Sequence, residues 1–328
     1  NAGFDLTLAH GGGKVPAAIL SAARQLEWDL WPALHPRDAL LVSCPPPRGF
    51  CEGLRALGIE PPRFVTRREA GATCAGFRFT PFGWNAEALR CAEDVLAQAD
   101  APDAEVVRRV NAREFCAMLE SRGASADAAT PVTVLRTVRE LDRWLAAAPP
   151  GRQVAKGRHG FAGIAQVRFT VPADDAPSRG GLRNRLRRLL ARHDGICVEP
   201  WHDIREEWGA LARVARDGRT AAPRLHRLLT TSGGGFAGAL AGPEVVPGAV
   251  AGLLRASAAR IGHALHAERY HGPFAFDAYG HRRMGGEEYL RMPSDLNVRL
   301  SMAAPVHGLR ARMPDRTILF AQFPATQA

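Results

Sequence analysis

Lysine is almost missing from this 328-residue sequence: only Lys14 and Lys156 occur, so forty-one of its forty-three basic residues are arginine. Arginine is a planar, permanently charged fork and lysine a compact ammonium on a flexible stem, so a chain that prefers arginine keeps lysine where a point charge is wanted. No stretch approaches 18 uninterrupted apolar residues, which argues against a membrane-spanning helix. The opening residues Asn1 to Leu8 have neither the basic start nor the apolar run of a signal peptide. The six cysteines (Cys44, Cys51, Cys74, Cys91, Cys116 and Cys197) show no C-x-x-C spacing, which speaks against a disulfide frame or a zinc site and for a cytoplasmic location. Gly-Lys-Ser, Gly-Lys-Thr and His-Glu-x-x-His are also absent, excluding a Walker loop and the common zinc-protease helix.

What remains is ordinary globular material, 46% hydrophobic and 23% charged, long enough for two or three packed units. The net charge of +10 raises the question of a nucleic-acid partner. The densest basic run, Arg179 to Arg192, carries Leu182, Leu186, Leu189 and Leu190 at the spacing of one buried helical face, with arginines covering the remainder. Aromatics make up 7% of the chain and none interleaves with this run. A solvated amphipathic helix is expected, and no nucleic acid.

Along the chain, Phe4 to Leu8 alternates as a strand, Pro16 to Leu30 has helical spacing and Leu40 to Ser43 reads as a buried strand. Helices are expected over Cys51 to Leu57 and Asn85 to Ala99. The pattern changes at Glu105: a long helix is predicted over Val106 to Ser121, a strand at Val132 to Leu135 and a helix over Val138 to Ala148. Two β segments flank a glycine-rich loop from Gly157 to Gly163, and a strand at Gly195 to Glu199 follows the arginine helix. Further strands are expected around Trp208 to Val214 and Leu225 to Thr230, with a helix from Val250 to Glu268. A last hairpin pairs Phe274 to Tyr279 with Tyr289 to Leu300.

Three segments carry chemistry. In Ser294-Asp295-Leu296-Asn297-Val298-Arg299-Leu300, strand alternation puts Asp295, Asn297 and Arg299 on one face. A hairpin would bring Asp277 beside Asp295 and Asn297, a hard-oxygen set suited to Mg²⁺, with Arg299 aimed at phosphates. Lys156, at a strand end before Gly157-Arg158-His159-Gly160-Phe161-Ala162-Gly163, would place an ammonium and backbone N–H groups against phosphates. Ile196-Cys197-Val198-Glu199-Pro200-Trp201, with Glu206 and Glu207 close behind, suits a seam that reads an adenine edge and holds ribose hydroxyls. His263, His266 and His271 read as helix-surface histidines, and Cys116 and Cys197 as buried, inert thiols. Gly11-Gly12-Gly13-Lys14 and Gly233-Gly234-Gly235 are either turns or substrate-facing loops.

Lys156 with its glycine loop, the Val-Glu-Pro-Trp hinge, and Phe-Asp followed by Ser-Asp-Leu-Asn-Val-Arg resemble the ATP-grasp superfamily in order and spacing, from Val106 to Ala303. The resemblance implies an α/β (α+β grasp) fold: a Rossmann-like pre-ATP-grasp domain over residues 1–104, then two grasp subdomains over 105–200 and 201–328, with nucleotide between two antiparallel sheets. It implies ATP and one or two Mg²⁺ ions (Mn²⁺ could substitute), and a ligase that activates a carboxylate as an acyl phosphate and couples it to an amine. The expected partners are small carboxylates and amines of amino-acid or short-peptide type, with a homodimer in keeping with such enzymes. A phosphotransferase and a non-catalytic ATP-binding module are the alternatives. By the same resemblance Lys156 and Arg299 would act in catalysis. Arg113, Lys156, Gly157, Gly160, Glu199, Trp201 and Glu206 or Glu207 would bind nucleotide, and Asp277, Asp295 and Asn297 the metal. Two positions depart from the family pattern: Asp295 stands where glutamate is usual, and Ala275 where some relatives have arginine.

Overall fold

The computed structural model describes residues 4–10, 27–123, 130–160, 165–171, 177–231, 234–282 and 287–322. The chain opens with helix α1 (Phe4–His10), followed by a 3-10 turn at Trp28–Ala33, β1 (Ala39–Val42), α2 (Arg48–Ala56), β2 (Arg63–Thr66), α3 (Arg67–Thr73), β3 (Arg78–Phe79), α4 (Ala86–Asp94) and β4 (Gln98–Ala99). Among the described residues, these strands form two separate parallel pairs, β1 with β2 and β3 with β4. Helices α5 (Ala104–Val110) and α6 (Arg113–Gly123) follow.

A four-stranded antiparallel sheet, in the order β5-β8-β6-β7, is built from β5 (Thr133–Leu135), β6 (Gly151–Gly157), β7 (Gln166–Val171) and β8 (Ile196–Pro200). Helices α7 (Val138–Ala147) and α8 (Pro177–His193) cover it, and Leu141, Leu186, Leu189 and Leu190 pack on Leu135, Ala155, Ile196 and Val198. The leucine spacing of the arginine helix is thus its buried face, while Arg185, Arg187, Arg188 and Arg192 are exposed.

A six-stranded antiparallel sheet, in the order β13-β12-β9-β10-β11-β14, forms the second sheet body. Its strands are β9 (Asp203–Val214), β10 (Arg224–Thr230), β11 (Phe236–Ala241), β12 (Gly272–Arg282), β13 (Glu288–Asn297) and β14 (Ile318–Ala321). Alternation sorts its two faces. Trp208, Ala210, Ala212 and Val214 of β9 join Phe274, Phe276 and Ala278 of β12 against Leu254, Ala258, Ile261 and Leu265 of helix α9 (Gly248–Ala267). The intervening residues turn to the other face and build the site. Helix α10 (Ala304–Arg312) ties in the 3-10 turn: Arg312 donates to the carbonyls of Pro32 and Leu34, each at 2.6 Å.

Three sequence expectations are corrected. Phe4 to Leu8 is a helix, because the same apolar residues that alternate also stand at i and i+4, and Phe4 and Leu8 are buried together in the main core. The long helix over Val106 to Ser121 is two helices. Asn111 breaks it by turning its amide inward, accepting from the Val298 N–H at 2.9 Å and donating to the Val107 carbonyl at 2.9 Å. The helix expected to Ala99 stops at Asp94, and Gln98 and Ala99 form a strand. The segments 11–26, 124–129, 161–164, 232–233 and 283–286 lie outside the described residues, and with them Gly11 to Lys14, the end of the glycine loop, Gly233 and the Gly285-Gly286 turn.

Candidate functional site

The register of the large sheet assembles one wall of the site. Asp295 on β13 faces Asp277 on β12, Asp277 faces Gly209 on β9, and Gly209 faces His226 on β10, so the four share one row. Asn297 lies opposite Ala275, two residues along the same face. Directly opposed side chains in an antiparallel pair stand about 5 Å apart at Cβ. Burial, then the nearby carboxylates of Asp295 and Glu207, push the Asp277 acid well above the ordinary carboxylate range. Two hard-oxygen acids pressed together, their charge only partly offset by Arg113 on Asp295 and by Arg299 nearby, are donor chemistry that fits a divalent cation. The other donors are engaged: Asp295 Oδ1 accepts from Arg113 at 3.0 Å, and Asn297 Oδ1 from Arg299 at 2.7 Å. Among the described residues no group of three or more His, Cys, Asp or Glu side chains is arranged to hold a metal ion, so the fit rests on the Asp277–Asp295 pair.

Arg113 joins this wall to the opposite lobe. The Asn111 break starts α6 at Arg113, whose guanidinium donates to the Gly157 carbonyl at 3.0 Å and the Gly160 carbonyl at 3.2 Å as well as to Asp295. One side chain thus spans from the glycine loop to the acid pair. Gly157 itself lies so close to the His193 ring, 2.7 Å from where a Cβ would be, that no larger residue fits.

Beneath the loop runs a buried chain of charges. Lys156 Nζ lies 2.5 Å from Glu199 Oε1, and Glu199 Oε2 accepts from Arg291 at 2.8 Å. Arg291, 4% exposed, also donates to both carboxylate oxygens of Glu120 at 3.0–3.1 Å and to the Tyr279 hydroxyl at 3.0 Å, and Tyr279 pairs with Nδ1 of His202 at 3.0 Å. Burial alone would raise the Glu199 acid, but the Lys156 ammonium and the Arg291 guanidinium outweigh it and hold Glu199 well below the carboxylate range. The Glu199 side chain therefore turns toward Lys156 rather than into the hinge cleft.

That cleft, about 360 Å³, opens where β8 passes into β9, and Trp201, His202, Glu207 and Thr230 help line it. The Arg168 guanidinium stacks 3.9 Å from the Trp201 ring centroid, in cation–π range. Glu206 and Glu207 point to opposite faces of β9. Glu207 shares the Gly209 and Asp277 face and accepts from Thr230 at 3.0 Å, and burial raises its acid. Glu206 pairs instead with Arg227 at 3.2 Å.

Arg299 does not continue the metal strand, which ends at Asn297. It lies in the bend that follows, 8% exposed, and donates to Asp5 of α1 at 3.0 Å, to the Leu300 carbonyl at 2.9 Å and to Asn297. Its guanidinium also covers the Phe82 ring at 4.8 Å. Arg299 is thus a buried cation held by Asp5, Asn297 and the Leu300 carbonyl. Sequence reasoning missed Arg291, Glu120 and Asp5, since charged residues with no motif around them give no signal until the fold brings them together. The Cys116 thiol is pushed well up by burial and the Cys197 thiol to about 12, which leaves both inert at neutral pH.

No protein-family model matches the sequence, and no curated protein does either. Solved structures do resemble the fold. N5-carboxyaminoimidazole ribonucleotide synthetase from Thermus thermophilus superposes with TM-score 0.50 at 18% identity, over 89% of this chain and 76% of that one. Rhizobium etli pyruvate carboxylase gives 0.52 at 12% identity, over 81% of this chain and 26% of the carboxylase. The biotin carboxylase domain of Hydrogenobacter thermophilus 2-oxoglutarate carboxylase, solved with MgADP, ADP and bicarbonate, gives 0.50 at 12% identity, over 80% of this chain. The present chain spans about half, 52%, of that domain. The chain shares its fold with these three enzymes.

Proposed function

We propose that this chain binds Mg-ATP between its two antiparallel sheets and uses it to activate a small carboxylate for attack by an amine. The observation that carries the reading is Arg113, which reaches from the glycine-loop carbonyls of Gly157 and Gly160 to Asp295 in the acid row. A loop able to hold phosphates and a pair of acids able to hold a cation thus converge on one point. The division into units over 1–104, 105–200 and 201–328 belongs to the same reading.

In the reaction a substrate carboxylate oxygen attacks the γ-phosphorus and ADP leaves. The amine then adds to the acyl phosphate carbon, loses a proton, and phosphate departs. Mg²⁺ held on Asp277 and Asp295 would neutralise phosphate oxygens. The protein's own contribution is position and charge. Lys156 stands at the end of β6 to meet the phosphates as a point charge. Gly157 to Gly160, at the start of the glycine loop, would set backbone N–H groups against them. Glu207, on the Asp277 face, accepts from the ribose hydroxyls, with Trp201 beside the base. Arg299 reaches the reacting anion only by giving up Asp5. Asp295 and Asn297 already accept from arginines, which favours a second reading, a module that binds nucleotide without turning it over.

Thermal unfolding with ATP, with and without Mg²⁺, tests the site. Nucleotide at a hundred times its dissociation constant stabilises the folded state by about 2.7 kcal/mol. The expected result is an upward shift that needs Mg²⁺ and disappears in Lys156→Ala. No shift in the wild type rejects the site, and a shift without ADP release against any carboxylate and amine selects the second reading.

A further inference from the structure

The Lys156–Glu199–Arg291–Glu120 chain does more than bury four charges. Among the described residues Glu199 links the Lys156 ammonium to the interior, and its two oxygens are divided: Oε1 on Lys156 at 2.5 Å, Oε2 on Arg291 at 2.8 Å. Arg291 cannot follow a moving glutamate, because it is itself tethered on three sides. Glu120 of α6 takes Nε and Nη2, Tyr279 of β12 takes Nη1, and its own backbone lies in β13. Glu120 is fixed in turn, since its Oε1 accepts from the Thr130 N–H at 3.0 Å. The four side chains are between 2% and 19% exposed, Lys156 the most.

We propose that Arg291 is a positioning residue of the nucleotide site: anchored on Glu120, it fixes the Glu199 carboxylate, and Glu199 holds the Lys156 ammonium in one place beside the glycine loop. A flexible four-carbon stem would otherwise sample many rotamers, and ordering it on binding would cost affinity. The proposal takes its ligand from the Mg-ATP reading above and adds what orients that site's cation. Its chemistry is that of an outer partner which fixes a ligating side chain, where removal typically weakens binding about 10–100-fold.

The scarcity of lysine gives a direct readout. With Lys14 and Lys156 the only lysines, protein labelled with ¹³C at the lysine Cε carbons gives two side-chain signals, assigned with Lys14→Arg. In the wild type the Lys156 signal should be shifted from the free-lysine position and broadened by immobilisation. Removing Arg291 alone strands the buried Glu120 carboxylate, which works against folding. The decisive variant is therefore Arg291→Met with Glu120→Met, which removes one charge of each sign and leaves the Lys156–Glu199 pair.

If Arg291 positions the lysine, this folded double variant moves the Lys156 signal to the free-lysine position and weakens Mg-ATP binding about 10-fold or more. If the arginine only balances buried charge, the neutral double variant keeps both the signal and the affinity of the wild type, and the proposal is overturned. The carbon signal needs no nucleotide. A wild type that fails to bind Mg-ATP while its Lys156 signal still depends on Arg291 would overturn the nucleotide reading and this assignment's ligand, but not the coupling. An unchanged signal would overturn the coupling itself.

Discussion

Glu206 and Glu207 are neighbours in the chain, and only the two-residue period of β9 separates their tasks. The family resemblance points to Glu206 as the ribose acid with Glu207 its close competitor, and local pattern does not tell which face of β9 the other strands turn toward the cleft. The register puts them on opposite faces: Glu207 stands with Gly209 and Asp277 and bonds Thr230, whereas Glu206 pairs with Arg227, and both acids line the cleft. A charged hydrogen bond contributes about 1.5–3 kcal/mol. Glu207→Gln should therefore weaken ATP binding about tenfold, and Glu206→Gln should leave it within about twofold, both read by calorimetric titration; the reverse order would move the ribose site to the other face. Asp295→Asn should remove the Mg²⁺-dependent part of the thermal shift and abolish ADP formation, with far-ultraviolet circular dichroism unchanged. Persisting ADP formation would take Asp295 out of the site. Asp277 and Asp295 could be paired from sequence because a hairpin has few registers. Alternation carries Arg299 onto the strand, but the strand ends at Asn297 and the chain bends, so Arg299 reaches Asn297 from the bend and meets Asp5 of α1 there.

At the level of elements, periodicity located the strands and helices of both sheets, and it failed where two periods coincide or where a side chain competes with the backbone. Phe4 and Leu8 satisfy either period, and only docking on the core selects the helix. Asn111 ends α5 by bonding across to Val298, a partner 187 residues away that no local pattern reveals. Close approach is equally invisible in sequence. Gly209 lies opposite His226, and a Cβ there would collide with its ring, whereas a Cβ on Gly53 in α2 meets nothing within 4 Å. Gly209→Ala should cost about 1–3 kcal/mol through overpacking. Gly53→Ala should gain about 0.5–1 kcal/mol through helix propensity. Chemical denaturation measures both, and a neutral Gly209→Ala would show that α10 and β10 can part around the ring.

For the whole molecule, buried titratable groups of opposite habit should shape the response to acid. His226 of β10 and His307 of α10 share a hydrogen bond, Nδ1 to Nε2 at 3.0 Å, in which one ring donates and the other accepts. A proton added to either ring removes the acceptor and leaves a buried charge. Burial lowers His226 from 6.5 to about 4 and, with the neighbouring ring and Arg224, His307 to about 3. In the unfolded chain both rings take protons near 6.5, before the folded form can, so their contribution to stability is intact above pH 6.5 and is lost as the pH falls from there toward 4. Asp277 and Glu207 act in the opposite sense. Their folded acids are raised, mainly by burial, so falling pH relieves a destabilisation already present at neutrality. The two effects offset one another in the wild-type melting curve, and the difference between variants is the diagnostic. Replacing the pair by His307→Leu with His226→Gln removes the buried bond and its titration together. Its melting temperature, measured against wild type from pH 7.5 to 4.5, should lie lower at neutral pH and approach or pass the wild type as the pH drops. A constant gap across that range would mean that both rings take up protons equally in the folded and unfolded states, and that the helix-to-sheet contact is held by packing alone.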